Sequence, residues 1–244
     1  MYQSLNGKRV IVTGGASGIG LATARRFAEE GSVVGIVDVN ERSAEAALRE
    51  GGVRHAQVAD VSRADEVGAA LESLTEQLGG LDVMVANAGV SVRAPFIDVT
   101  PDQWRRVLGV NLDGIFYCAQ FAARRMAGRG GGVILMTAST NGLEGHPFYA
   151  DYNASKAGVI LLARSMAVEL APAIRVNAVC PGYVMTPMQL AEYTEEMIKE
   201  VNEGIPLKRH ARPEEVAALY AFLASSEAEY ITGQAICIDG GETA

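Results

Sequence analysis

Val10-Ile11-Val12-Thr13-Gly14-Gly15-Ala16-Ser17-Gly18-Ile19-Gly20 decides the fold. Its first three residues are apolar and β-branched, as in a short buried strand. Beyond Gly20, Leu21, Ala24, Phe27 and Ala28 form an apolar stripe at helical spacing that stops at Gly31. The reading is strand, glycine-rich turn, helix. Such a turn lets the backbone approach a pyrophosphate closely and presents the positive N-terminal end of the helix to it. The glycines are spaced G-x-x-x-G-x-G rather than G-x-G-x-x-G, so the dinucleotide fingerprint is met in mechanism but not in letter.

The unit then repeats along the chain. Val33 to Val37 reads as the second strand and ends in Asp38, eighteen residues after Gly20. A carboxylate there accepts hydrogen bonds from ribose hydroxyls and repels a 2′-phosphate, so NAD is expected over NADP. Arg42 is the one nearby cation that would relax that preference, and Asp38 also suits a helix N-cap. Val53 to Ala59 is the third strand; Asp60-Val61-Ser62 opens a helix running to about Leu78; Leu81 to Ala86 is the fourth strand, followed by Asn87-Ala88-Gly89. Asp60 is placed to reach the adenine edge, and Asn87 to tie the loops together.

Thr100-Pro101-Asp102 starts a helix that runs, with a possible break, to about Ala127. Asn111 lies in its middle, where asparagine is a poor helix former and needs either solvent or a partner. Gly132 to Thr137 is the fifth strand and delivers Ser139; Ile174 to Val179 is the sixth and delivers Cys180-Pro181-Gly182-Tyr183-Val184-Met185-Thr186. Pro187 to about Pro206 suits a lid, Pro213 starts another helix, and Ala235 to Ile238 is the last strand. Strands and helices alternating at this pace imply one α/β domain: a mostly parallel seven-stranded sheet with helices on both faces.

Between the fifth and sixth strands, Tyr152 and Lys156 lie four residues apart on one helical face. An ammonium about 4 Å from a phenol is worth roughly 4 kcal/mol at an effective dielectric near 20, or about three pKa units, which would bring the phenolate within reach of neutral pH. The same spacing also suits a surface tyrosine stacked on a lysine stem.

Composition narrows the classes of function. The chain has 244 residues, 49% of them hydrophobic, and a net charge of −8, so neither nucleic acid nor an anionic membrane is an expected partner. Cys118, Cys180 and Cys237 have no disulfide or zinc spacing and read as core thiols, so no metal is expected. No apolar run reaches membrane-spanning length, and the chain reads as cytoplasmic.

Taken together, Thr13-Gly-x-x-x-Gly-x-Gly20, Asn87-Ala88-Gly89, Asn111, Ser139, Tyr152-x-x-x-Lys156 and Pro181-Gly182 with Thr186 resemble the short-chain dehydrogenase/reductase family over the whole chain, to Ile231-Thr232-Gly233 and Asp239-Gly240-Gly241. The resemblance implies a doubly wound, Rossmann-type fold and hydride transfer between NAD(H) and a secondary alcohol or ketone. It makes Tyr152 the acid/base, Ser139 the donor to the substrate oxygen, and Lys156 the ligand of the nicotinamide ribose that lowers the Tyr152 pKa. Asn111 would hold a relay water. Cofactor contacts would come from Gly14, Ser17, Gly18, Ile19, Gly20, Asp38, Asp60, Val61, Asn87, Ala88, Gly89, Tyr152, Lys156, Pro181, Gly182, Val184 and Thr186.

The substrate loops would be Ser91 to Phe96, Asn141 to Tyr149 and the lid, and the candidate substrate contacts are Asn141, Glu144, His146, Tyr149 and Tyr183, with apolar Leu143, Phe148, Met185 and Met188 nearby. Such a mixture suits a sugar, polyol or other small secondary alcohol. Arg93 could pair a substrate carboxylate or face solvent, and His55 and His210 read as surface residues. An NADPH-type acyl-carrier-protein ketoreductase and a catalytically silent NAD(H) sensor are the alternatives. The family's usual assembly implies a homotetramer packed through the helices from Thr100 and Tyr152, with which the apolar stripe Val159, Leu162 and Met166 is consistent, though it suits the core equally.

Overall fold

The computed structural model describes residues 1–244. Seven strands, β1 (Arg9–Thr13), β2 (Val33–Asp38), β3 (His55–Val58), β4 (Val83–Ala86), β5 (Gly132–Thr137), β6 (Ile174–Pro181) and β7 (Ala235–Ile238), form one sheet in the order β3-β2-β1-β4-β5-β6-β7. Every pairing is parallel. The chain runs outward from β1 to β3, then crosses back to lay β4 on the other side of β1. That reversal opens a crevice above the carboxyl ends of β1 and β4, where open α/β sheets bind ligands.

Nine helices cover the sheet: α1 (Gly18–Glu29), α2 (Glu41–Glu50), α3 (Ala64–Leu78), α4 (Pro101–Leu108), α5 (Gly114–Met126), α6 (Ala150–Leu170), α7 (Pro187–Glu192), α8 (Glu195–Gly204) and α9 (Pro213–Ala224). Alternation along each strand divides the core into two layers. Ile11, Met84, Ile134 and Met136 pack with Leu71 and Leu74 of α3, Ile115 of α5 and Val159 of α6. Val10, Val12, Val34, Val85 and Leu135 pack on the opposite face with Ala24 and Phe27 of α1 and Tyr220 of α9. No helix is long and apolar enough to cross a membrane.

Several boundaries differ from expectation. β3 begins at His55 rather than Val53, and β4 at Val83 rather than Leu81. The third helix begins at Ala64 because the Asp60 carboxylate accepts from the amide (2.9 Å) and hydroxyl (2.7 Å) of Ser62, making a tight turn first. β6 continues through Pro181, whose missing N–H falls at the strand's end. The break after Thr100 is a single π-helical turn, Gly109–Asp113, between α4 and α5. Cys118 and Cys180 are core thiols, but Cys237 is exposed. Val159 is buried in the core, and Leu162 and Met166 are half-buried and pack against it, so the stripe faces inward; the exposed apolar residues of α6 are Leu161 and Val168, one heptad apart on its outer face.

Candidate active site

The crevice over β1 and β4 is a cleft of about 520 Å³ lined by Gly14, Ser17, Gly18, Ile19, Gly20, Asp38, Asp60, Val61, Asn87, Ala88, Gly89, Tyr152, Lys156 and Thr186, among others. Fourteen of the seventeen cofactor residues expected from sequence therefore converge there. Pro181, Gly182 and Val184 do not line it: the Pro181 carbonyl faces the Ser139 hydroxyl at 3.4 Å, Gly182 lines a neighbouring pocket, and Val184 is buried, bridging Ala211. Arg105 and Arg106 reach the cleft from α4. Nothing in their spacing distinguishes them from a solvated helix face, and sequence reading missed them.

The glycine turn fits a pyrophosphate because its backbone is packed to contact. A Cβ on Gly20 would stand 2.0 Å from the Gly14 carbonyl oxygen, and Gly14 itself has a φ of +61°. Asn87 fastens this turn from the far side. Its side-chain amide donates to the carbonyls of Thr13 (3.1 Å) and Gly14 (3.3 Å), and its oxygen accepts from the Thr137 hydroxyl (3.0 Å), which is hydrogen-bonded to the Tyr220 hydroxyl (2.7 Å). At the other end, Asp38 accepts from the amides of Ala16 and Asn40, each at 3.0 Å, which fixes its carboxylate at the tip of β2. It is not a helix cap; Asn40 caps α2 by accepting from the Ser43 amide.

Lys156 is 2% exposed and its ammonium donates to the Thr137 carbonyl at 2.8 Å. Burial pulls its pKa down to about 8. Carrying that charge at pH 7 costs roughly 3 kcal/mol relative to the unfolded chain. Because the folded pKa is depressed, the cost is full below pH 8 and fades as pH rises toward the unfolded value of about 10.4. Lys156 is thus kept against stability.

Tyr152 does not show the lowered pKa expected from the lysine four residues away. Burial pushes its phenol up to about 12, with the Ser139 hydroxyl acting in the opposite direction and the Glu192 carboxylate adding to the rise. The ammonium is turned to Thr137 and lies 5.5 Å from the centre of the phenol ring, so desolvation wins over attraction. Ser139 is held loosely: its hydroxyl accepts from the Asn141 amide at 3.2 Å, and its single proton has only two long acceptors, the Asn141 side-chain oxygen at 3.3 Å and the Pro181 carbonyl at 3.4 Å.

Asn111 is fully buried. Its amide donates to the Val90 carbonyl (2.9 Å) and the Ser155 hydroxyl (3.2 Å), and its oxygen accepts from the Val90 amide (2.8 Å). Both side-chain N–H groups are spent tying the loop after β4 to α6. This is the reason for an asparagine at the π turn.

Beside Tyr152 a second pocket, about 80 Å³, is lined by Ser139, Asn141, His146, Tyr149, Gly182, Tyr183 and residues of α7. Of the expected substrate residues only Glu144 is absent; it is exposed. Gln189, Glu192 and Tyr193 are wall residues that sequence reading did not name. α7 is capped by the Thr186 hydroxyl, which accepts from the Gln189 amide at 3.2 Å. His210 is buried, not a surface residue: its ring lies 5.5 Å from that of Tyr183 and its Nδ1 is 2.7 Å from the Asn202 side-chain oxygen. Arg93 stacks over the Phe148 ring at 4.4 Å.

Comparison with known proteins gives consistent matches over the full length. A family model described as enoyl-(acyl carrier protein) reductase matches residues 14–243. The chain is 43% identical over 239 residues to a cis-4-hydroxycyclohexanecarboxylate dehydrogenase of Sinomonas cyclohexanicum, covering 96% of each chain. A short-chain type dehydrogenase/reductase from Mycobacterium marinum superposes with a TM-score of 0.91 at 37% identity, covering 99% of this chain and 98% of that one. A 3-ketoacyl-(acyl-carrier-protein) reductase from Brucella melitensis, solved as a complex with NADH, superposes with a TM-score of 0.93 at 35% identity, covering 99% and 100%.

Proposed function

The chain belongs to the short-chain dehydrogenase/reductase family, and on that premise we propose that this oxidoreductase interconverts small secondary alcohols and ketones with NAD(H) as its preferred cofactor. One observation carries the reading. Tyr152 lines both the dinucleotide-sized cleft and the small pocket, at the point where the two meet, with Lys156 on the cleft side and Ser139 on the pocket side.

Bound in the cleft, the nicotinamide cofactor supplies the hydride acceptor for oxidation and the donor for reduction. The residues supply the rest. In oxidation the Tyr152 oxygen takes the hydroxyl proton while the carbinol carbon gives up its hydrogen with both bonding electrons and the carbonyl forms; reduction returns the same proton from the phenol. Ser139, weakly engaged in the protein, donates to the substrate oxygen and steadies its charge. Lys156 holds positive charge 5.5 Å from the centre of the phenol ring, and the N–H bonds it does not give to Thr137 would serve the ribose hydroxyls. Asn111 keeps the loop after β4 against α6, and a relay water at this residue would rest on groups other than its two side-chain N–H bonds.

The preference for NAD rests on Asp38, whose anchored carboxylate would meet a 2′-phosphate with like charge at a cost of at least about 1.4 kcal/mol, or tenfold. The Asp38→Ala variant should narrow the ratio of kcat/KM for NAD over NADP by roughly ten- to a hundredfold. An unchanged ratio would remove Asp38 as the reader of the ribose. Reduction of an acyl chain on acyl carrier protein is a second reading, favoured by the similarity to ketoacyl reductases. The small volume of the pocket and the acidic Glu192 in its wall weigh against it.

The assembly proposed with this function is a homotetramer. Leu161 and Val168 on α6 and Phe116 on α5 expose apolar surface on the outer sides of those helices. A tetrameric mass by light scattering at micromolar protein is expected, and a monomeric mass would refute it.

A further inference from the structure

The wall of the small pocket facing Tyr152 is polar and acidic in a way that proton transfer does not require. Tyr149 donates to the Glu192 carboxylate at 2.9 Å, and the Tyr193 hydroxyl lies 3.3 Å from that of Tyr149. Burial, with Tyr193 and the Glu192 charge alongside, raises the Tyr149 pKa and keeps it a neutral donor. That bond uses one oxygen of Glu192 and leaves the other as an acceptor. On the same wall, Gln189 Nε2 is buried with no hydrogen-bond partner, and His146 Nε2, also buried, has nothing nearer than the Glu242 carboxylate at 4.0 Å, beyond hydrogen-bond range. A buried polar atom without a partner costs about 1–3 kcal/mol, so two of them beside a free carboxylate oxygen mark a place that a polar ligand group completes.

We propose that Glu192, Gln189 and His146 form a subsite for a second hydroxyl, and that the substrate is a small, uncharged diol or polyol. This rests on the alcohol–ketone reading above and narrows it. The hydroxyl distal to the reacting carbon donates to the free Glu192 oxygen and accepts from Gln189. The volume agrees: about 80 Å³, against roughly 300–1,000 Å³ for a site that takes drug-sized ligands. So does the charge. The cation nearest in the substrate loops, Arg93, is exposed and committed to the face of Phe148, while Lys156 lines the cleft and not this pocket. A carboxylate in this pocket would meet the Glu192 charge with only neutral groups, Gln189 and a His146 whose pKa burial lowers, to offset it, and an alkyl chain would leave the Gln189 amide and the free Glu192 oxygen unpaired.

Three four-carbon compounds separate the possibilities: 2,3-butanediol, offered as separate stereoisomers, 2-butanol and 3-hydroxybutyrate. With NAD and the full chain, the best diol isomer should exceed 2-butanol in kcat/KM by at least about tenfold, and 3-hydroxybutyrate should be the poorest of the three. In the Glu192→Gln variant the amide oxygen can still accept from Tyr149 while the charge is gone. The diol should lose about tenfold, mainly through KM, and 3-hydroxybutyrate should gain severalfold, which a merely structural role for Glu192 would not produce. Parity of 2-butanol with every diol isomer, or an equal loss on all three compounds in the variant, overturns the subsite. If none of them is oxidised, the redox reading fails on its own, and ligand-observed NMR titration of the NAD complex reads the subsite directly. Binding of a diol at least about tenfold tighter than 2-butanol then sustains it, and equal binding overturns it.

Discussion

Tyr152→Phe is expected to retain NAD binding and to lose about 10²- to 10⁴-fold in kcat, the range for removal of a general acid/base. The substitution takes away one oxygen from a ring half-enclosed between the cleft and the pocket and leaves the neighbouring packing in place, including the edge contact with Tyr149. The pH dependence makes the test sharper. The phenol stands at about 12 and the Lys156 ammonium at about 8 in this structure. At neutral pH Tyr152 is therefore an acid ready to protonate a carbonyl, whereas alcohol oxidation needs it ionised. The wild-type oxidation rate should rise with pH between about 6 and 8, while Lys156 still carries its charge, and reduction should change little over the same range. Residual activity of Tyr152→Phe should lack that rise. Wild-type turnover in the variant, or an unchanged pH profile, would reassign the proton to another group.

Gly20→Ala is expected to weaken NADH binding by more than about a hundredfold and to destabilise the fold by roughly 2–4 kcal/mol, at or above the usual range for overpacking. The added Cβ would fall 2.0 Å from the Gly14 carbonyl oxygen and 2.7 Å from the Asn87 side-chain amide. Neither neighbour can yield cheaply. The Gly14 carbonyl belongs to a backbone turn with positive φ, and Asn87 is bonded to Thr13, Gly14 and Thr137 at once. The first turn of α1 would have to withdraw, carrying its N-terminal amides away from the cleft in which a pyrophosphate would lie. Gly68, inside α3, is the control: a Cβ there meets nothing within 4 Å, so Gly68→Ala should stabilise by about 0.5–1 kcal/mol through helix propensity alone. Fluorescence titration with NADH and thermal unfolding of both variants check the pair, and a Gly20→Ala protein that binds NADH within threefold of the wild type would mean that the turn is not packed as described.

These expectations draw unequally on sequence and structure. Strand, glycine turn and helix could be read from Val10 to Phe27 because each is a local pattern, and the repeated alternation carried that reading to a parallel sheet with its ligands at the carboxyl edge. Tyr152 and Lys156 were legible for the same reason: four residues along a helix is one turn, whatever surrounds it. Local pattern did not reach the direction of the Tyr152 pKa. Spacing places the ammonium near the phenol, but whether it faces that oxygen or the Thr137 carbonyl depends on β5, and the cost of burial depends on the whole core.

The same limit governed the small pocket. Tyr149 and Glu192 are 43 residues apart and Thr137 and Tyr220 are 83 apart, and no periodicity joins them. His210 carries no local mark of burial, and only the packing of its ring against Tyr183 puts it inside. The sequence by itself determined the order of the elements and the edge of the sheet at which chemistry gathers, because backbone propensity and hydrophobic period act over a few residues. Which distant side chains meet across that edge, and which of them keep a charge or lack a partner, was decided by tertiary structure alone, because desolvation and hydrogen-bond geometry depend on neighbours that the chain brings together only when it folds.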